Sequence, residues 1–170
     1  TVEIGTQLSG TIEKIYVDYN DQVTAGQILA EMDLKLLKTN LNSAEANLGV
    51  SEAQVYQAKD EFDRNKKLYE KGVISTKEYN TSKYAYIQTV SAKKAALARI
   101  SNIKVSMGYG HITSPIKGTV IERSVEEGQT VAASFSTPTM FVIAEDLSKM
   151  QILADMDESD IGYIKDSMRV

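Results

Sequence analysis

Hydrophobic and polar residues alternate with a period of two at both ends of the chain, whereas the middle follows a different period. Val2, Ile4 and Leu8 alternate in the manner of a strand at the start. Over residues 34–107 the apolar residues recur at steps of three and four, which is the spacing of a helical seam. The sequence therefore predicts β structure at both ends and a long helical segment between them.

The first arm of the helical segment has an almost unbroken apolar seam. No Pro interrupts it, and eight of its nine positions are apolar: Leu34, Leu37, Leu41, Ala44, Leu48, Ser51, Val55, Ala58 and Phe62. About 35 residues at a rise of 1.5 Å make each arm on the order of 50 Å long, which exceeds the diameter of a small domain. We therefore expect a hairpin that projects into solvent or into a partner.

The return arm has a weaker seam, and its pattern leaves the register open. The apolar residues predict seam positions at Tyr79, Tyr86, Val90, Leu97, Ile100 and Met107. Three lysines, Lys83, Lys93 and Lys104, interrupt this series. The return arm is nevertheless helical in its spacing, so we predict two antiparallel helices.

The turn between the arms has clear stop and start signals. Gly72 follows a lysine-rich run, which suits the C-terminal end of a helix. Ser75 and Glu78 have the spacing of a capping box, in which each side chain satisfies the other residue's backbone N–H. The sequence places the tip of the hairpin at about residues 68–75.

The two β regions are copies of one another at an offset of 108 residues. Without a gap, Gly10, Thr11, Ile12, Val17, Asp18 and Val23 coincide with Gly118, Thr119, Val120, Val125, Glu126 and Val131. Each copy contains a strand, an acidic turn at Asn20 or Gly128, and a second strand, and residues 27–31 and 140–144 add one strand each. Each half alone would expose an apolar face, so we predict that the halves pack as one small sandwich.

Charge is distributed unevenly along the chain, and its total is −4. Residues 34–107 contain 13 Lys and Arg against 7 Asp and Glu, and the other residues contain 6 against 16. The basic excess indicates either a solvated helix surface or a field that faces a partner. The acidic total and the lysines within the seam argue against nucleic-acid binding.

The composition offers little for catalysis. The chain has no Cys and a single His, His111, and it contains no Gly-rich phosphate loop and no paired metal-ligand spacing. The carboxylates near residue 157 lack the Gly and the distal Glu of a calcium loop. The sequence therefore predicts a protein that is not an enzyme and holds neither cofactor nor metal. No stretch approaches the roughly 18 to 20 apolar residues of a transmembrane helix.

Together these features resemble the membrane fusion proteins, or periplasmic adaptors, of bacterial efflux pumps (the HlyD-like superfamily). The resemblance implies an α+β fold, a split lipoyl/biotinyl-like β-sandwich interrupted by a long antiparallel coiled-coil α-hairpin, plus the start of a β-barrel domain. It divides the chain into a first half-domain at 1–33, the hairpin at 34–107, the second half-domain at 108–148, and a barrel beginning at 149–170.

The hairpin tip carries the most specific part of the resemblance. In these families the contact with the channel is made by an Arg, by a Leu four residues after it, and by a Ser seven residues after the Leu. Here Arg64, Leu68 and Ser75 have that spacing, and Gly72 lies between the last two. The resemblance implies that Arg64 donates hydrogen bonds, Leu68 fills a groove and Ser75 caps. The alternative is that Leu68 only ends the seam and Ser75 only caps a helix.

The flanking motifs are similar to the macrolide-exporter (MacA-like) branch, which works with an inner-membrane ABC transporter. They are Gly128 to Val131, then Ala144, Asp146, Leu147, Ser148 and Met150, and then Glu158, Ser159, Asp160 and Ile161. The resemblance further implies a periplasmic location, an inner-membrane anchor outside this chain, a TolC-like outer-membrane channel as partner, and a hexamer. That branch places a Gln in a gate loop; here the loop contains Ser134, Phe135 and Ser136. We expect Phe135 or Ser136 to line the constriction, unless this loop is simply solvent-exposed.

Three other interpretations are compatible with parts of the pattern. The chain could be the adaptor of a proton-driven (RND) pump or of a type I secretion system. It could be a structural coiled-coil protein without a transport role. A lipoyl or biotinyl carrier would share the sandwich, but it needs a Lys on the tight turn between the halves, and Lys35 lies instead within the helical pattern.

Overall fold

The computed structural model describes residues 1–133 and 138–145 and contains eight strands and two helices in that part of the chain. In chain order the elements are β1 (Val2–Gly5), β2 (Gly10–Ile15), β3 (Gln22–Val23), β4 (Ile28–Met32), α1 (Lys35–Glu70), α2 (Thr76–Gly108), β5 (His111–Thr113), β6 (Gly118–Arg123), β7 (Thr130–Val131) and β8 (Thr139–Ala144). The two helices form one antiparallel hairpin between β4 and β5.

The strands form two four-stranded sheets, and each sheet contains strands from both halves of the chain. One sheet has the order β1-β8-β6-β3 and the other has the order β5-β4-β2-β7. The short strands β3 and β7 each pair with the opposite half, so the halves interlock rather than merely stack. The fold class predicted from the sequence is confirmed.

The offset of 108 residues relates the pairings in the two sheets. Gln22 pairs with Thr119, and Thr130 pairs with Thr11, which is the same pairing shifted by one repeat. Asn20 and its repeat equivalent Gly128 both have positive φ, at 70° and 81°. The repeat therefore preserves a left-handed turn as well as apolar positions.

Besides the buried hydroxyls of Thr6 and Ser114, the sandwich has an apolar core that is almost entirely hidden from solvent. It comprises Ile4, Ile12, Val17, Val23, Leu29, Ala30, Met32, Ile112, Val120, Val125, Val131, Met140, Phe141 and Ile143. At the start of β6, Gly118 is required by packing because a Cβ there would overlap the Ala144 carbonyl of β8. This core gives the hairpin a firm base.

The first arm of the hairpin has the seam that its spacing predicted. In α1 and the preceding residue, all nine predicted positions are buried or half-buried, from Leu34 to Phe62. Asn65 and Leu68 continue this face to the end of the helix. The heptad interpretation of the first arm is therefore confirmed.

The predicted seam of the return arm is partly wrong. Tyr79, Tyr86, Ile100 and Met107 are buried or half-buried as expected. Val90 and Leu97, however, are 40% and 45% exposed. The second line of the seam is formed by Ser82, Thr89, Ala96 and Ile103, each at a buried or half-buried position.

The prediction for the return arm was wrong because two of the residues that form its seam carry hydroxyl groups. Ser82 Oγ donates to the Tyr79 carbonyl at 2.9 Å, and Thr89 Oγ1 donates to the Tyr86 carbonyl at 2.8 Å. These local bonds satisfy the hydroxyls inside the helix pair, so residues that look polar in the sequence tolerate the seam. Lys83 and Lys104 are exposed and interrupt nothing, because they belong to the same outward line as Val90 and Leu97.

Candidate functional site: the hairpin tip

The turn at the tip is fixed by backbone hydrogen bonds at the end of α1. Gly72 has φ of 70°, its N–H donates to the Tyr69 carbonyl at 2.9 Å, and the Val73 N–H donates to the Leu68 carbonyl at 2.9 Å. This pair of bonds is a Schellman motif, which closes a helix over a left-handed residue. A side chain at position 72 would find space but would be strained by the backbone conformation.

The predicted capping box is present at the start of α2. Ser75 Oγ accepts from the Glu78 N–H at 3.3 Å, and the Glu78 carboxylate accepts from the Ser75 N–H at 2.9 Å. The Glu78 carboxylate also accepts from the Ser75 hydroxyl at 2.8 Å. The bonds that it accepts from the Ser75 N–H and hydroxyl lower the pKa of Glu78 below its ordinary value of 4.5, the backbone bond having the larger effect. Five residues thus separate two firmly terminated helices.

Aromatic side chains fill the seam behind the turn. The rings of Tyr69 and Tyr79 stack at 4.7 Å between centroids, and Phe62 lies 5.8 Å from both Tyr79 and Tyr86. We call Phe62, Tyr69, Tyr79 and Tyr86 the aromatic tip cluster. Sequence reasoning placed three of these residues in the seam but missed Tyr69, because its position falls one residue outside the main heptad line.

The structure brings the predicted contact residues to the same end of the hairpin. Arg64 is exposed on the penultimate turns of α1, Leu68 is half-buried at the end of the seam, and Ser75 is the exposed N-cap of α2. Leu68 and Ser75 therefore have structural roles of their own. Arg64 has none that the structure reveals, because no ion pair within residues 1–133 and 138–145 includes it.

Two open grooves flank the tip. The first, of about 560 Å³, runs along α1 and is lined by Asp60, Asp63, Arg64, Lys67, Leu68 and Lys71. The second, of about 640 Å³, lies between the helices and is lined by Glu61, Asn65, Ile74, Ser75, Lys77, Glu78, Thr81 and Ser82. Both are wide, shallow and rich in charge, which suits a protein surface better than a small ligand.

The two helices differ in charge. In α1 six basic residues balance six acidic ones, whereas α2 has six basic residues and Glu78 as its single acid. One of the six, Lys93, lies in the seam and pairs with Glu52 of α1 at 3.0 Å. The basic excess predicted for the hairpin therefore belongs to α2 and is mostly presented to solvent.

The junction between sandwich and hairpin is not arranged like a cofactor arm. Lys35 starts α1, and its ammonium pairs with Asp33 at 3.3 Å, so it does not project from a tight β-turn. His111 Nδ1 lies 3.4 Å from the Glu31 carboxylate on the neighbouring strand. Within the described ranges, no three His, Asp or Glu residues converge on a point where a metal could bind.

Two predicted regions fall outside the described residues. The gate loop with Ser134, Phe135 and Ser136 is one, and the barrel beginning at 149–170 is the other. The strands on either side of the loop, β7 and β8, lie in different sheets of the sandwich.

Comparison with known proteins places this architecture in a family. The family described as "RND MFP, barrel-sandwich hybrid domain" matches residues 1–143. The chain belongs to the membrane fusion protein family.

Several members of this family are similar to the chain over nearly its whole length. The macrolide export protein MacA of Yersinia pestis is 31% identical over 182 residues, covering 99% of this chain and 49% of that protein. The pyoverdine export membrane fusion protein PvdR of Pseudomonas aeruginosa is 30% identical, with coverages of 98% and 46%. The crystal structure of MacA from Actinobacillus actinomycetemcomitans superposes with a TM-score of 0.69 at 36% identity, covering 95% of this chain and 54% of that one.

The chain spans about half the length of these relatives. In the part that the structure describes, neither helix combines the length and the low polarity that crossing a bilayer requires. The relatives are membrane fusion proteins and exporters by name, and the similarity to them is spread over sandwich and hairpin alike.

Proposed function

We propose that this chain is the central part of a periplasmic adaptor in a three-part efflux pump, bridging an inner-membrane transporter to a TolC-like outer-membrane channel. The observation that carries the proposal is a long hairpin with a tightly terminated, exposed tip, built on a split sandwich in a membrane fusion protein. Its work is mechanical: it joins two membrane proteins and encloses a conduit, and no bond is made or broken.

The proposed contact with the channel is centred on Arg64, Leu68 and Ser75. Arg64 is exposed beside a groove and can donate several hydrogen bonds to carbonyl or carboxylate groups of a helical partner. Leu68 offers its exposed part as an apolar anchor next to that groove. Gly72, with φ of 70°, closes α1 and forms the turn between these residues.

A co-purification experiment tests this contact. The wild-type adaptor should retain a TolC-like channel, and an Arg64→Asp, Ser75→Arg double variant should lose it. The matched control is Arg99→Asp, Ser91→Arg, which makes the same changes at exposed positions on the shaft of α2. Equal capture by wild type and the tip variant would favour a structural coiled-coil protein without docking.

We also propose that six copies assemble side by side, with the outward line of α2 as part of the contact. Lys83, Val90, Leu97 and Lys104 recur every seven residues and so form one line along the helix. Its two apolar members, Val90 and Leu97, are 40% and 45% exposed in the single chain. Leu97→Glu should weaken self-association of the full-length protein in sedimentation velocity, whereas Tyr19→Glu on the sandwich should not.

For the inner-membrane partner we propose an ABC transporter, supported by the similarity to MacA across the whole chain. A proton-driven pump is the second candidate, which the RND designation of the matching family favours. The adaptor should raise the ATPase rate of its cognate transporter when both are reconstituted in full. An unchanged ATPase rate, with export that stops when the proton gradient is collapsed, would decide for the second candidate.

We propose from the sequence that Phe135 or Ser136 narrows the conduit within the loop that joins β7 and β8. The aromatic ring would close the passage sterically and the hydroxyl would form a polar ring. Phe135→Ala should allow back-leakage of an exported dye. A variant that transports like wild type without leakage would remove Phe135 from this role.

A further inference from the structure

The side chains that fill the helix seam change character along the hairpin. Near the sandwich the seam is aliphatic, and its most buried members are Leu34, Ala44 and Ile100. A Cβ on Gly110 would overlap the Leu34 side chain, so helix and sandwich pack closely there. At the far end the aromatic tip cluster fills the seam. The section between these ends differs from both.

The middle section has polar residues in its seam and a glycine within its first helix. Gly49 lies within α1, and a Cβ at that position would meet nothing within 4 Å, so no packing requirement accounts for it. A glycine inside a helix lowers its local stability because it adds backbone freedom to the open state. The seam beside it is occupied by Ser51 and by the Glu52–Lys93 pair, both of whose side chains are partly exposed.

Three hydroxyls in the middle section bond to their own helix rather than to the opposite one. Ser51 Oγ donates to the Asn47 carbonyl at 3.1 Å, and Ser91 Oγ donates to the Ile87 carbonyl at 3.0 Å. Thr89 does the same toward Tyr86. Such bonds compete with the helix ladder. The same kind of bond occurs at Ser82 in the tip, so the middle section is set apart by Gly49 and by the partly exposed Glu52–Lys93 pair. We call Gly49, Ser51, Glu52, Thr89 and Lys93 the polar girdle.

The tip of the hairpin is held by several kinds of local contact. It combines the Schellman motif, the capping box and three ring contacts within residues 62–86. Ser82 within it is only 5% exposed. Tyr69 Oη also lies 3.4 Å from Thr76 Oγ1 across the turn. These contacts are local and do not depend on the girdle.

We propose that residues 62–86 form a rigid unit of their own, positioned by the aromatic tip cluster and joined to the base through a softer polar girdle. Arg64, Leu68 and Ser75 then move as one body, and the hairpin bends behind them. The idea that this bending serves docking rests on the proposed contact with the channel. The idea that the girdle is less stable than the tip does not rest on it, so either idea can be wrong while the other holds.

Hydrogen exchange of the wild-type chain, resolved by peptide or by residue, tests the proposal. A uniform hairpin frays from its tip, so exchange would rise steadily from base to tip. We expect instead that amides in 47–55 and 89–95 exchange about tenfold faster than those in 62–70 and 79–86. A steady rise toward the tip, or equal protection in girdle and tip, would overturn the proposal.

Variants of Tyr79 separate positioning from general stability. Tyr79→Ala should raise exchange in both 62–70 and 79–86 by roughly tenfold while the base is unchanged. Tyr79→Phe keeps the ring and should restore the wild-type profile. Tyr84→Ala is the control, since Tyr84 is on the same helix and 64% exposed. Exchange that Tyr79→Ala leaves unchanged in α1 would show that the cluster does not hold the tip together.

A stiffened girdle provides the reverse test. In a chain with Gly49→Ala, Glu52→Leu and Lys93→Leu, the alanine strengthens the first helix and the two leucines make the middle seam apolar. Its girdle amides should become as protected as those of the base, with the tip unchanged. Girdle exchange that stays at the wild-type rate, in a variant whose helix content is intact by circular dichroism, would contradict the assignment of softness to these residues.

Discussion

The sandwich and the hairpin bury their apolar side chains to very different degrees. In the sandwich, Phe141, Leu29 and Ile143 are completely hidden, and the other core residues are nearly so. In the helices, Ala44 and Ile100 are the buried apolar side chains, and apart from Ser82 the rest of the seam is only half-buried. Two helices have only one seam between them, whereas two sheets enclose a layer from both sides.

The difference shows which part of the chain is complete in itself. The interlocked halves of the sandwich satisfy one another, down to the matched turns at Asn20 and Gly128. The hairpin leaves Val90 and Leu97 partly exposed and carries an exposed arginine, Arg64, near its tip. Exposed apolar residues in a line and open charged grooves are typical of surfaces that bind other proteins. In the proposed adaptor the sandwich supports the hairpin, and the hairpin makes the contacts with partners.

The largest expected loss of stability comes from replacing a phenylalanine of the sandwich, and a phenylalanine of the hairpin provides the comparison. Phe141→Ala should reduce the free energy of unfolding by about 3–5 kcal/mol, because it empties a fully buried site in the sandwich. Phe62→Ala removes the same ring from the half-exposed seam and should cost about half as much or less. Urea unfolding followed by circular dichroism measures both. Equal losses would mean that the hairpin is packed as tightly as the sandwich.

A second pair of variants tests the register of α2. Ile100→Ala should cost about 2–4 kcal/mol because Ile100 is 7% exposed, and Leu97→Ala should change the stability of the isolated chain by about 0.5 kcal/mol. The same unfolding measurement applies to both. A loss at Leu97 that matches the loss at Ile100 would restore the register in which Val90 and Leu97 face the first helix.

The capping box is expected to contribute less. Ser75→Ala should cost about 1 kcal/mol, since it leaves the Glu78 N–H without its acceptor. Ser91→Ala is the matched control, because its hydroxyl only bonds back to its own helix and Ala is the better helix former. If both variants unfold at the same urea concentration, the box does not stabilise the tip.

The smallest expected effect is that the stability contributed by the capping box depends on pH. The pKa of Glu78 is lower in the folded chain than its ordinary value of 4.5, so its contribution is fully present above that value. It is lost as the pH falls through the lower, folded value. The stability difference between wild type and Glu78→Gln, which keeps the hydrogen bonds but does not titrate, should change over this interval. A difference that stays constant from pH 6 to pH 3 would argue against an ionised Glu78 in the box.

Repeats and end signals made most of this fold predictable from the sequence. The offset of 108 residues predicted one sandwich from two halves, and Gly72, Ser75 and Glu78 predicted the turn because caps are local chemistry. The exchange of β3 and β7 between halves was not predictable, since strands of two residues leave almost no periodic signal. It follows from long-range pairing alone.

The return arm shows where hydrophobicity is a misleading guide. Its true seam contains Ser82, Thr89 and Lys93, whose polar groups are satisfied by the helix backbone or by Glu52. The more apolar line with Val90 and Leu97 looked like the better seam and instead faces outward. The tip residues were located correctly in the chain, but their contact with a channel is a property of two proteins and stays a prediction.

Photo-cross-linking of the full-length adaptor in cells tests the proposed docking most directly. A photoreactive amino acid at Lys67, which lines the groove beside Arg64, should yield a covalent adduct with the TolC-like channel. The same group at Leu36, exposed near the base of the hairpin, should yield none with the channel. Channel adducts from Leu36 and not from Lys67 would contradict the account, because the tip would then not be the part that docks.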